Sequence, residues 1–342
     1  MKPLVSILIP AFNAQEWIAD TLRSALAQTW PHKEIIVVDD GSSDSTPAIL
    51  QQFESRGVTV AAQPNQGAAA ARNEALSLSS GEYIQWLDAD DLLAPDKISR
   101  QMEVLGERPD KRILVSSAWG RFMYRYQRAR FLPTSLWRDL PPAEWLMRQM
   151  EENIYMQTAT WLVSRELAEA AGSWDTRLLG DDDGEYFSRV LLASCGTRFV
   201  PEGKVYYRMA GTGSLSYVGR SELKREAQWL SMKLHVHYLL SVDDSARARA
   251  ACVTYLQTWM VFFYPERLDI FAEACELARQ LGGRLEVPRL SWKYAWIKSI
   301  FGWPLARRAQ SLLPQIRSRA TRFCDRAISQ IENRRLESEF PI

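Results

Sequence analysis

Histidine is scarce in this sequence, and its cysteines are unpaired. The three histidines, His32, His235 and His237, read as surface or helix residues rather than metal ligands. Cys195, Cys252, Cys275 and Cys324 form no C-x-x-C pair, which excludes the usual zinc and redox motifs. Free buried thiols in a reducing compartment are expected instead. No stretch approaches the roughly 18 uncharged apolar residues that a membrane-spanning helix needs. The first apolar run is broken at Pro10, too early for the core of a signal peptide, so a cytoplasmic location is expected. There is no G-x-G-x-x-G after the first apolar run and no G-x-x-x-x-G-K-[ST], which speaks against a dinucleotide oxidoreductase or a P-loop enzyme. A net charge of +1 over 342 residues supplies no general attraction to nucleic acid, and none is expected as a partner.

Against these absences stands an ordinary globular composition, 46% hydrophobic and 24% charged, sufficient for a sizeable core. The first 120 residues alternate strand and helix signals. Val5 to Ile9 is a buried strand ended by Pro10, and Asn13 with Glu16 three residues on predicts a capping box. Ile18, Leu22, Ala25 and Leu26 form the apolar stripe of the helix that follows. Ile35 to Val38 and Val58 to Ala62 are further strands, separated by a helix opening at Thr46-Pro47. The alanine-rich run Gly67 to Leu78 predicts a helix, and Tyr83 to Leu87 a fourth strand. This order implies an α/β fold with a mainly parallel sheet. Strands are also expected over Ile113 to Trp119, Met156 to Val163 and Val205 to Arg208. Helices are expected after Ser164 and over Glu185 to Ser194. From Ser221 the pattern is helical.

The acidic residues cluster where such a sheet binds ligands. Asp39 and Asp40 follow the second strand, and Asp88, Asp90 and Asp91 follow the fourth. Ligands of an open parallel sheet sit outside the carboxyl ends of its strands, so both clusters face one crevice. A diphosphate there would be repelled by carboxylates alone. A Mg²⁺ or Mn²⁺ ion on Asp90 reverses the local charge and stabilises a leaving diphosphate as a Lewis acid. Asp39 is suited to accept a hydrogen bond from a base N–H. The competing reading of Asp40-Gly41-Ser42-Ser43 is an ordinary turn whose side chains bond to backbone.

Five segments, S-I-L-I-P-A-F-N (6–13), V-V-D-D-G-S-S-D-S-T (37–46), N-Q-G-A-A-A-A-R-N (65–73), G-E-Y-I-Q-W-L-D-A-D-D (81–91) and a later acidic run, closely resemble the family-2 glycosyltransferases. The resemblance covers roughly residues 4 to 218. It implies a GT-A fold, a nucleotide-binding sheet flanked by helices, and transfer of a sugar with inversion from a UDP-, GDP- or dTDP-sugar to a glycan or lipid-linked acceptor. It implies Pro10, Phe12 and Asn13 in the first nucleotide loop, Asp39 on the base, Asp88 near the ribose and Asp90 on the metal. Asp40, Gly67 and Arg72 join the donor-binding set, and Asn73 fixes its loop. The alternative for Arg72 is a solvated helix residue pairing with Glu74 or Glu82.

Inverting transfer needs a general base. In Asp181-Asp182-Asp183-Gly184-Glu185, matching Arg189 to the family's helix arginine puts Asp183 at the base position. A helix N-terminus favours its anion, while the neighbouring carboxylates raise its pKa. The alternative is an acidic first turn that only complements the helix dipole. The family commonly has a histidine just after Tyr207-Arg208, which is absent here. Arg208 is expected to supply that positive charge, leaving Asp90 as the main protein ligand of the metal.

Residues 1–218 are thus expected to form the catalytic domain and 219–342 a helical region. Within the latter, residues 284–335 carry twelve Lys/Arg against three Asp/Glu, interleaved with Trp292, Trp296 and Trp303. Such a stretch suits either the anionic inner face of a membrane or packing on the catalytic domain. Two other functions fit less well. A sugar nucleotidyltransferase would show a Gly-rich basic loop after the first strand, and a non-catalytic sugar-nucleotide or glycan-binding module would not need both Asp90 and Asp183.

Overall fold

The computed structural model describes residues 2–106, 110–209, 221–288, 300, 322–323 and 325–329. Four parallel strands form the core of the first sheet: β1 (Val5–Ala11), β2 (Lys33–Asp39), β3 (Val58–Ala62) and β4 (Tyr83–Trp86). They are joined by α1 (Ile18–Leu26), α2 (Thr46–Glu54) and α3 (Ala68–Leu78). The short β5 (Leu92–Leu93) and α4 (Lys97–Leu105) lead to β6 (Ile113–Phe122) and its edge strand β7 (Arg130–Phe131). Next come α5 (Pro142–Glu152), β8 (Val163–Ser164), α6 (Arg165–Ala171), α7 (Asp182–Ala193) and β9 (Gly196–Arg208). After these come α8 (Glu222–Val242), α9 (Ala246–Trp259) and α10 (Leu268–Gln280).

The strand order of the first sheet is β3-β2-β1-β4-β8, with β8 antiparallel to β4. The second sheet runs β5-β9-β6-β7, its long central pair β6 and β9 being parallel. β1 is buried along its whole length, as a central strand covered on both faces must be. Among the described residues no helix is long and apolar enough to cross a membrane.

Several boundaries depart from the sequence pattern. β1 continues through Pro10 to Ala11. Odd-numbered residues of β1 bond to β2 and even-numbered ones to β4, whose pairing has stopped at Leu8. The N–H that Pro10 lacks would therefore point where no partner strand remains. Asn13 does not cap α1, which begins only at Ile18. It has φ 47° and ties the first two loops together, its Oδ1 accepting from the Ser43 N–H at 2.9 Å. Met156 to Val163 is no strand but a 3-10 turn at Thr158–Thr160, leaving only Val163–Ser164 extended. Trp119, Trp145 and Trp161 are buried in the core. Cys252 is a buried free thiol, whereas Cys195 is exposed.

The helical C-terminal region leans on the catalytic core. α8 packs on α7, and α9 packs on α5. Ser221 caps α8, its hydroxyl accepting from the Lys224 N–H. Most of 284–335, including its tryptophans, lies outside the described residues.

Candidate active site

The Asp88-Ala89-Asp90-Asp91 segment leaves β4 at the carboxyl end of the parallel sheet and is held from three sides. Thr21 of α1 donates to the Ala89 carbonyl at 2.9 Å. The Arg208 N–H, at the end of β9, donates to Asp91 Oδ1 at 2.7 Å, and Arg208 Nε donates to the Asp90 carbonyl at 2.7 Å. Gln157 Nε2 donates to Asp91 Oδ2 at 2.5 Å and reaches Asp88 Oδ2 at 3.4 Å. Asp91 is fully buried, and burial beside Asp90 and Asp88 pushes its carboxyl well up. Burial and the Asp88 charge raise Asp90 to about 6, with Arg208 opposing. Arg208 is itself clamped between Trp17 and Phe122, its guanidinium 4.1 and 4.5 Å from the ring centres.

Arg72 joins this cluster to the second one. It is buried in α3, stacks on Trp174 at 4.4 Å, and pairs with Asp88 at 2.8 Å and with Asp182 at 2.5 Å. Burial alone would lower its pKa, but Asp182, Asp88 and Asp183 together raise it. Neither Glu74 nor Glu82 is its partner. Asn73 braces the same region, its side chain exchanging hydrogen bonds with the backbone N–H and carbonyl of Trp174.

Asp183 lies one residue into α7, which begins at Asp182, three residues before the sequence pattern implied. Its Oδ2 accepts from Thr158 Oγ1 at 3.0 Å and its Oδ1 from the Gly184 N–H at 3.0 Å. Burial, then the Asp182 and Asp181 charges, raise it to about 7 despite Arg72. The loop before it is held from α8. Ser231 Oγ donates to Asp181 Oδ2 at 2.6 Å, Gln228 reaches the same oxygen at 3.4 Å, and Tyr238 OH donates to Glu185 at 2.6 Å. The buried His235 packs beside this loop and bonds Tyr255 OH.

The loops after β1 and β2 form the other wall. Ser42 Oγ accepts from the Asn13 N–H and donates to Asp39 Oδ1 at 2.5 Å. Beside Asp39 a cavity of about 430 Å³ opens between β2, α2 and β3, lined also by Pro47, Ala48, Gln51, Val60 and Ala62. Phe12 is exposed. Asp40 behaves differently from Asp39. Its two oxygens accept from Gln63 Nε2 and from the Gln66 and Gly67 N–H groups at 2.7–2.9 Å, which seats the loop before α3. Its geometry is that of the turn reading. Gly67 caps α3 at φ +94°, a backbone conformation that side chains resist.

Among the described residues no group of three His, Cys, Asp or Glu side chains is arranged to hold a metal ion. Of the carboxylates in this segment, Asp90 is the one left to hold an ion. Asp88 and Asp91 are taken by Arg72, Gln157 and the Arg208 backbone. The Asp90 carboxylate takes no side-chain hydrogen bond among the described residues and is crowded by Asp88. A single carboxylate with phosphate oxygens and water is a common setting for Mg²⁺.

Sequence reasoning missed Gln157 and Thr158, because their segment was read as a strand. Asp91 was visible in the acidic run, yet only its burial separates its role from that of Asp90. The pairing of Asp182 with Arg72 spans 110 positions and has no local signal.

A parallel nucleotide-binding sheet with acidic residues at its carboxyl edge and a second, smaller sheet defines the GT-A type of α/β fold. Residues 6–170, just under half of the chain, match the glycosyl transferase family 2. The putative teichuronic acid biosynthesis glycosyltransferase TuaG of Bacillus subtilis (strain 168) is 47% identical over 110 residues. These make up 31% of this chain and 44% of TuaG. The chain spans under half the length of the curated relatives it matches. Among solved structures, S. aureus TarS 1-349 in complex with UDP-GlcNAc superimposes with a TM-score of 0.66 at 18% identity, covering 91% of both chains. The mannosyltransferase PcManGT from Pyrobaculum calidifontis, in complex with GDP-Man and Mn²⁺, does so with a TM-score of 0.51 at 17% identity, covering 91% of this chain and 88% of that one. At these identities the likeness is one of fold.

Proposed function

We propose that this chain transfers a sugar from a nucleotide-diphosphate donor to an acceptor hydroxyl, with inversion, in the synthesis of a cell-surface polysaccharide or related glycan. The observation that carries this reading is the pair Gln157–Thr158. One of these neighbours holds Asp91 and reaches Asp88, and the next holds Asp183. On this reading two adjacent residues tie the candidate metal segment to the candidate base. The family match and the kinship with a teichuronic acid glycosyltransferase support the reaction class.

In this mechanism the nucleoside occupies the wall built by Phe12, Asn13 and Asp39, with the base beside the Asp39 cavity. Asp90 would hold Mg²⁺ or Mn²⁺ together with the donor phosphates, and the ion supplies Lewis-acid stabilisation of the leaving diphosphate. Arg72 keeps Asp88 and Asp182 apart and paired. Asp183 takes the proton of the acceptor hydroxyl as that oxygen attacks the anomeric carbon. The bond from that carbon to the diphosphate oxygen breaks on the opposite face, which inverts the centre. A carboxyl poised near neutrality suits this role.

Support for a divalent ion comes from the crowded Asp90 and from the Mn²⁺ of the mannosyltransferase of like fold. For residues 284–335 the membrane-surface reading stands beside a packing one, favoured at one point by Asp325, which bonds Arg125 at 2.7 Å. The reading is tested by thermal shift with UDP-, GDP- and dTDP-sugars, with and without Mn²⁺ or Mg²⁺. A donor at 100 times its Kd should add about 2.7 kcal/mol of stability. Asp90→Ala should lose the metal-dependent part of that gain. The absence of a shift with every donor would overturn the proposal.

A further inference from the structure

Between positions 111 and 138 the chain carries seven Lys/Arg and no Asp/Glu. Four of these, Arg121, Arg125, Arg128 and Arg130, line a cavity of about 700 Å³ floored by Phe122, Met123, Leu132 and Met209. The carboxylate in its lining is Asp325, which is engaged by Arg125 and by the Tyr124 N–H. Arg121 and Arg130 stand directly opposite each other in the β6–β7 register. Like charges in that position destabilise a strand pair. The hairpin is nevertheless firmly seated, for the Phe131 ring lies where a side chain on Gly120 would have to go. Arg121, Arg128 and Arg130 are exposed, and none forms an ion pair among the described residues.

One hydrogen bond ties this basic cavity toward the acidic clusters. Arg121 donates to Tyr155 OH at 3.2 Å, and Tyr155 lies within electrostatic reach of Asp183 and Asp91. Tyr155 thus stands between Arg121 of the cavity and the carboxylates Asp183 and Asp91.

We infer that the Arg121–Arg130 cavity binds a phosphate-bearing part of the acceptor, so that this enzyme takes an acceptor carrying at least two negative charges beside the sugar that is extended. The inference rests on the proposed transferase reading. Guanidinium forks match phosphate oxygens, and several around one cavity suit a diphosphate better than a single carboxylate.

Calorimetric titration of the full chain with inorganic pyrophosphate in EDTA tests the site, since without a metal ion the acidic donor crevice repels that probe. Wild type should bind pyrophosphate, more weakly as salt rises. The exposed double variant R128Q/R130Q should bind about tenfold or more weakly, with two charge-assisted contacts removed and its melting temperature no lower, since the Arg121–Arg130 repulsion is relieved. No binding by wild type, or equal binding by the variant, overturns the site. A second arm compares a short-chain sugar diphosphate lipid with the same sugar as a neutral alkyl glycoside. The variant should raise KM for the first about tenfold and leave the second unchanged. Equal effects on both would overturn the acceptor assignment, leaving a site for free phosphate. Donor-induced stabilisation with Mn²⁺, measured on the same variant, reports separately on the transferase reading.

Discussion

The two acidic clusters of the crevice are built in opposite ways. Asp88 to Asp91 follow a buried strand, and much of what holds them comes from the elements around that sheet: Thr21 of α1, Arg72 of α3 and the backbone of Arg208 at the end of β9. Asp181 to Asp183 open a helix. Their loop is held by Thr158, by Arg72 and by Ser231 and Gln228 of α8, which lies beyond residue 220. The first cluster thus belongs to the nucleotide-binding sheet, whereas the second depends on the C-terminal helices. Arg72 is the bridge between them. On the proposed mechanism, α8 acts on the catalytic step by positioning the loop of Asp183, although it supplies no reacting group.

The largest effect that bears on this contrast is at Asp183. In Asp183→Asn, kcat should fall by roughly 10²–10⁴, the usual contribution of a general base, while donor binding is kept. Parallel loss of donor binding would merge the two clusters into one function. In the wild type kcat should rise with pH up to about 7 and then level, as the raised carboxyl ionises. The same shift predicts a stability trend. The folded state holds a proton that the unfolded chain releases from its ordinary value of 3.8 upward, so stability falls as pH rises from there toward 7. Urea titrations of Asp183→Asn should show a flatter slope in that window.

Next comes the bridge itself. Arg72→Met leaves Asp88 and Asp182 without their cation in a largely buried setting and should cost roughly 3–5 kcal/mol, read as a lowered urea midpoint. An unchanged midpoint would mean that the clusters stand independently. The smallest effect is expected from α8. Ser231→Ala removes one hydrogen bond to Asp181, worth about 1 kcal/mol. It should lower kcat several-fold with the donor KM unchanged. If donor KM rises instead, α8 serves the nucleotide side and the contrast fails.

What could be read in the chain follows how local each signal is. β3 was legible to the residue, and Thr46-Pro47 and Ser164 marked helix starts correctly because strand burial and capping act over a few positions. Asp39 and Asp90 could be placed at strand ends for the same reason. Asn13 was misread, since a capping pattern and a loop tie use the same side-chain chemistry. Met156 to Val163 was misread because its apolar residues before Leu162 are buried without being paired in a sheet. Asp40 and Asp39 are neighbours of identical type. Only the fold separates them, by aiming the Gln66 and Gly67 N–H groups at one and the cavity at the other.

By itself, then, the sequence determined the alternating α/β order, the buried central strands and the presence of carboxylates at their ends, all consequences of periodicity and short-range bonding. Tertiary structure decided which carboxylate is free, which is buried and which is raised toward neutrality. Those properties depend on the Arg72–Asp182 pair, the Thr158–Asp183 bond and the α8 contacts to Asp181. Each joins residues between 25 and 110 positions apart, and only folding brings their charges close enough to act on one another.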